Sequence, residues 1–330
     1  MSVQVTVIGT GSLGTSVGLA LATQAHQLTR VAHDPSADAA RKAHKMGAFD
    51  QVQLNLHQAV EQADIVVLAL PVDEIRPTLE QIAPDLQPGA LVVDLSPAKT
   101  AVTRWAQELL PEEVHFVAFV PSLNPAYLLE LPSQPEDAHA DLFQNSLIFI
   151  TTPPGTSPEG LELATNLALL LGARPFFADV YESDGLLAAV HLLPRLTAAA
   201  LLNATANRPG WQEARKLAGP AYAQITAQAE QLDESEQFGQ AALLNKDNVL
   251  RVLDNLSLAL DDLRQAIARD DAEALAALLG QARQARQAWW DERHIARWDL
   301  PEKPAEMPAK GEVFTRLFGL GGRKKKENKS

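Results

Sequence analysis

Hydrophobic positions change their period partway along this chain. In the first half, short apolar runs alternate with helical patterns. The runs are "VQVTVIG" (3–9), "LTRVAH" (28–33), "DIVVLAL" (64–70), "ALVVDL" (90–95), "HFVAFV" (115–120), "LIFIT" (147–151) and "RPFFA" (174–178). The first, third and fourth are almost continuously apolar, as strands buried on both faces of a parallel sheet must be. Segments such as "DEIRPTLEQIA" and "TAVTRWAQELL" lie between them with helical spacing. This βαβ alternation predicts an α/β fold with a doubly wound, Rossmann-type parallel sheet over residues 1–180. Beyond that point the strand signal stops. Residues 181–206, 211–232, 235–268 and 271–297 read as Ala- and Leu-rich helices, so residues 181–297 are expected to form an all-α domain. Residues 298–330 combine a Pro-rich linker, "DLPEKPAEMPAKG", with a basic tail.

The turn after the first strand carries chemistry. "VTVIGTGSLGTSVGLAL" sets Gly9, Gly11 and Gly14 in G-x-G-x-x-G spacing, directly after a buried strand and at the start of a helix. Gly9 permits the tight turn, Gly11 lets the backbone approach a pyrophosphate, and Gly14 lets helix and strand pack closely. The helix N-terminus, at Ser12 and Leu13, offers free N–H groups to phosphate oxygens. The second strand ends at Asp34, placed to accept hydrogen bonds from ribose hydroxyls and to repel a 2′-phosphate, which favours NAD over NADP. Asp34 also precedes a helix and suits its N-cap. Arg30 and Arg41 lie close enough to keep NADP open.

Composition narrows the classes. With no cysteine among 330 residues, disulfides, thiolate metal sites and a cysteine nucleophile are excluded, and a reducing cytoplasm is the expected compartment. The start "MSVQVTVIG" runs straight into a strand, so no signal peptide is expected. The longest apolar stretch is interrupted by His191, Pro194 and Arg195, so no membrane span is expected. The net charge is −13, yet residues 310–330 hold seven Lys/Arg and two Glu, leaving −18 on the remainder. An acidic body repels phosphodiesters and argues against nucleic-acid binding. In the tail, Val313, Phe314, Leu317 and Phe318 stand at helical spacing before Arg323–Lys326. Residues 312–326 are therefore a candidate for weak contact with anionic lipid or an acidic partner, set against a plain disordered tail.

The order of segments resembles the prephenate and arogenate dehydrogenases of tyrosine biosynthesis. The resemblance rests on "VIGTGSLGTSVGLAL", "ADIVVLALPV", "GALVVDLSPAKT", "FVAFVPSLNP", "DLFQNSLIFITTPP", "LLGARPFFAD", "ESDGLLAAVHLLPRLTAAAL" and "LLNKDNVLRVL". It implies an NAD(P)-dependent oxidoreductase acting on a small anionic substrate, with a homodimer formed through the helical domain. It adds Leu70 and Pro71 of "LALPV" to the cofactor side, and Arg215 and Asn245 to the substrate side. The family's serine segment reads "DLSPAK" here, so Pro97 takes the serine position, Ser96 falls one place early, and Lys99 matches. Val120 takes the position of one family histidine. In "HLLPR", His191, Leu192 and Arg195 take the places of a serine and two histidines. Valine and leucine cannot move protons, and proline lacks a hydroxyl. His191 or Tyr127 can serve as the acid–base group, Ser96 and Lys99 are the other catalytic candidates, and Lys99, Arg195 and Arg215 can hold carboxylates.

One residue along a helix is about 100° of rotation, so His191 cannot simply replace its neighbour. Either a shift at Pro194 brings it to the cleft beside Arg195, or it packs in a core or dimer seam. Three readings stay open: a tyrosine-pathway dehydrogenase with altered site chemistry, an NAD-dependent dehydrogenase for another carboxylate, and a non-catalytic NAD-binding dimer.

Overall fold

The computed structural model describes residues 3–295 except 25–27, 154, 207 and 233–234. The linker and basic tail, with the 312–326 contact expected there, lie outside the described residues.

An eight-stranded sheet runs in the order β3-β2-β1-β4-β5-β6-β7-β8. The strands are β1 (Val3–Ile8), β2 (Leu28–His33), β3 (Gln51–Val52), β4 (Ile65–Leu68), β5 (Leu91–Asp94), β6 (His115–Ser122), β7 (Leu147–Thr151) and β8 (Arg174–Phe177). Helices α1 (Ser12–Leu21), α2 (Ala37–Lys45), α3 (Leu56–Val60), α4 (Val72–Ile82), α5 (Lys99–Leu109) and α6 (Pro158–Leu170) join them. Alternate residues of each strand feed opposite faces. Val5, Val7, Ile65 and Val67 pack toward α1 and α6. Ile8, Val66 and Leu68 pack toward α4, α5 and the helices that follow. Both faces are therefore covered, which explains the unbroken apolar strands.

One pair departs from the all-parallel expectation: β6 and β7 are antiparallel. A parallel return needs a crossover of a dozen or more residues, usually a helix. Residues 123–146 instead form a proline-punctuated loop with only short 3₁₀ turns, Pro125–Tyr127 and Pro135–Asp137. The chain re-enters beside the end of β6, and the loop is left at the sheet edge where the strands β1, β4 and β5 finish. Strand order reverses between β1 and β4, and ligands of open α/β sheets bind outside the strand ends at such a switch.

The C-terminal helices are α7 (Val180–Leu187), a π-helical turn (Ala188–Leu192), α8 (Leu193–Thr205), α9 (Trp211–Leu217), α10 (Pro220–Thr226), α11 (Ser235–Leu244), α12 (Lys246–Ala268) and α13 (Ala272–Ile295). The helix expected over 211–232 is broken where Gly219 and Pro220 end one segment and open the next. Residues 180–205 are long and apolar enough to cross a bilayer by length and hydropathy alone. Within this stretch, residues 187–195 form a wall of the cleft described below. Arg293 of α13 reaches back to the sheet domain, donating from Nη1 to Ser122 Oγ at 2.7 Å.

Candidate active site

The phosphate-type loop is built as its glycines require. Gly9 has φ +94°, and a Cβ there would lie 2.3 Å from the Ala69 carbonyl oxygen; one on Gly14 would lie 1.9 Å from the Gly9 carbonyl oxygen. Both approaches exclude a side chain, so β1, α1 and the end of β4 can close together only with glycine at these positions. Leu70 packs beneath the turn and is buried, and Pro71 caps α4 beside it. The first turn of α1 has neither an acidic residue nor a side-chain cap, so its N-terminal donors suit an anion, although here the Ser12 N–H is bonded to the Ser133 carbonyl at 3.3 Å. Asp34 is fixed against this loop: Oδ2 accepts from the Thr10 N–H at 2.6 Å and the Thr10 hydroxyl at 2.8 Å, and Oδ1 accepts from the Ser36 N–H at 2.8 Å. The glycine cradle, the helix N-terminus without an acidic residue and the carboxylate at the end of β2 together suit a dinucleotide.

Arg30 has no role at that site. It is buried, pairs with Asp50 at 2.7 Å, and donates through Nη1 to the carbonyls of Gly18, Gly47 and Ala48 at 2.9–3.1 Å. Arg41 is exposed, 3.5 Å from Asp38.

From the loop a cleft of about 450 Å³ runs between sheet and helices. Ser12 and Leu13 line one end, Ser96, Pro97, Lys99 and Val120 the sheet side, and His191, Pro194 and Arg195 the helical side. The structure thus brings together Ser96, Lys99, His191 and Arg195. It does not bring in the other two candidates. Arg215 is exposed on α9, away from this chain's cleft. Asn245 is buried behind it, donating to the Asp184 carbonyl at 2.7 Å.

A charged network fixes the floor. Lys99 Nζ donates to Asp94 Oδ2 at 2.9 Å and to the Asp94 carbonyl at 3.1 Å, and neither side chain is more than 1% exposed. Burial lowers the Lys99 pKa, against the opposing pull of Asp94 and Asp184. Asp184, from α7, caps α5 by accepting the N–H groups of Lys99 at 2.7 Å and Thr100 at 2.9 Å. Sequence reasoning missed both aspartates; the one signal was an acid closing the wholly apolar strand "LVVD". Ser96 is buried, and its hydroxyl has no hydrogen-bond partner among the described residues.

His191 reaches the cleft through the π turn, one residue of slack placed just before Pro194, which has no N–H to continue an α-helical ladder. The turn buries Leu192 completely in the core beneath and sends the histidine outward. The ring is accessible to solvent in the cleft mouth, yet crowded by protein. That desolvation, with the charges of Arg195 and Lys99, pushes its pKa down to about 3. Arg195 is half-buried, its Nη1 donating to the His191 carbonyl at 3.0 Å, and burial lowers its pKa too. Tyr127 is committed elsewhere. Its hydroxyl donates to Asp141 at 2.6 Å, which, with burial, raises its pKa to about 12 and removes it as a base.

Two family models match consecutive parts of the chain: the nucleotide-binding domain of prephenate dehydrogenase over residues 17–176 and its dimerization domain over residues 180–281. Among characterised relatives, prephenate dehydrogenase of Bacillus subtilis is 26% identical over 81% of this chain and 71% of its own length. Cyclohexadienyl dehydrogenase of Zymomonas mobilis is 25% identical over 86% of this chain and 95% of its own. In fold, the chain is similar to prephenate dehydrogenase from A. aeolicus, solved with hydroxyphenyl propionate and NAD+, with a TM-score of 0.77 at 20% identity, covering 88% of this chain and 99% of that one.

Proposed function

The chain belongs to the prephenate dehydrogenase family, and from that premise we propose that it is an NAD-dependent oxidoreductase of a small carboxylate whose acid–base groups have been moved. The observation that carries this reading is the convergence of His191, Arg195 and the unpartnered Ser96 hydroxyl on one cleft that opens onto the α1 N-terminus. The cofactor, held by the Gly9–Gly14 loop and Asp34, supplies a hydride acceptor when bound. Arg195 holds a substrate carboxylate, the bidentate pairing for which a guanidinium is suited. Ser96 donates a hydrogen bond that it otherwise lacks. His191, neutral across the physiological range, accepts the substrate's hydroxyl proton. The carboxylate that pairs with Arg195 also offsets one of the charges depressing the ring, and so makes it a better base. Lys99 and Asp184 position this floor rather than react.

Val120, Pro97 and Leu192 stand where the family pattern has a histidine, a serine and a second histidine, so prephenate itself is proposed to be a poor substrate. We further propose a cytoplasmic homodimer joined through α7–α13, consistent with the dimerization-domain match. Arg215 takes no part in this reading within one chain.

With Arg30 locked in the core, NAD is expected to bind roughly tenfold or more tightly than NADP. Calorimetric titration of both cofactors measures this. Tighter NADP binding would overturn the Asp34 assignment and implicate Arg41. A screen of small carboxylates with NAD, following reduced cofactor, tests the reaction.

A further inference from the structure

We propose that residues 130–139 form a strap that competes with the dinucleotide's pyrophosphate for the N-terminus of α1. This rests on the cofactor reading above. The Ser133 carbonyl accepts the Ser12 N–H at 3.3 Å, the kind of first-turn donor that phosphates take in this fold. It sits over Gly11, where a Cβ would lie 3.2 Å from the same oxygen. Further bonds hold the strap down. The Ser12 hydroxyl donates to the Asp137 carbonyl at 3.4 Å, and the His139 N–H donates to Ser16 Oγ at 3.0 Å. Lys42 on α2 pairs with Glu136 at 2.8 Å. Within the strap, the Asp137 carboxylate accepts the N–H groups of Ser133 and Gln134, both at 3.0 Å, which keeps the Ser133 carbonyl presented.

A peptide carbonyl carries only a partial charge within a neutral group, whereas each phosphate of the pyrophosphate carries a net negative charge shared over its two free oxygens, so the cofactor displaces the strap at the cost of these bonds. The far end is tied to the substrate cleft. His139 stacks on Tyr127 with ring centroids 3.8 Å apart and bonds Glu130 at 2.7 Å, and all three line the cleft. Cofactor entry therefore also moves the wall that a substrate meets.

The test uses the full chain and its Glu136→Gln variant, which removes an exposed latch without touching the core. An exposed ion pair holds by a factor of about 2–5, so the variant is expected to bind NAD about 2–5-fold more tightly at low ionic strength. The difference should shrink as salt screens the pair. Hydrogen exchange in 130–139 should quicken when NAD is added. Equal affinities with slower exchange in the strap would overturn the proposal, because the segment would then be a wall that closes over the cofactor. Failure of both proteins to bind NAD would overturn the cofactor reading itself, and the strap with it.

Discussion

Lys99→Met should destabilise the protein by about 3–5 kcal/mol, the usual cost of stranding one partner of a buried ion pair. Methionine fills similar space, so packing changes little. Asp94, whose side chain is 0% exposed, would keep only the Ser96 N–H as a hydrogen-bond partner for its carboxylate among the described residues. The figure is the penalty for an uncompensated buried charge, not the net worth of the pair. Pairing the change with Asp94→Asn should recover most of the loss, since the charge and its orphaned partner leave together. Urea unfolding of the wild type, the single and the double variants measures both effects. A loss under about 1 kcal/mol for Lys99→Met would show that the network is not as dry as its burial indicates.

His191→Asn should lower turnover of a carboxylate substrate by about 10²–10⁴-fold, the contribution typical of a general acid–base group. Folding should be little changed, because the ring faces the cleft and the core contact beneath belongs to Leu192. The pH profile separates this role from a structural one. With a pKa near 3 in the free protein, His191 is neutral throughout the ordinary range. Hence kcat/KM, which reports the free enzyme, should show no limb near pH 6.5 from this residue. In kcat the limb should move up toward neutrality, because the bound carboxylate offsets Arg195. An unchanged rate in the variant would return His191 to a packing role.

Much of this architecture is legible in the sequence because period and spacing carry it. Buried strands are continuous apolar runs, and a G-x-G-x-x-G turn between strand and helix admits few other geometries. What escaped depends on contacts between distant segments. The π turn at Ala188–Leu192 is one example: counting from an ideal helix rotates His191 a quarter-turn away from the cleft, and a single residue of slack brings it back. Of the two positions left open for His191, the cleft is the one it lines here, with the slack in the turn just before Pro194. Asp184 shows no local sign that it caps α5 from another domain. Only the resemblance points to Asn245 and Arg215. In the structure one is a buried donor to the Asp184 carbonyl and the other lies outside this chain's cleft. The strap over α1 was equally hidden, since "PSQPEDAHA" has no hydrophobic period and its bonds are made largely by backbone atoms.

Formation of reduced NAD by the purified full-length protein, with prephenate and a panel of other small carboxylates measured side by side, tests the central claim most directly. The account predicts NAD reduction with at least one carboxylate and, with prephenate, a rate lower by roughly the 10²–10⁴-fold that lost acid–base groups cost. Robust oxidation of prephenate in preference to every other carboxylate would contradict it.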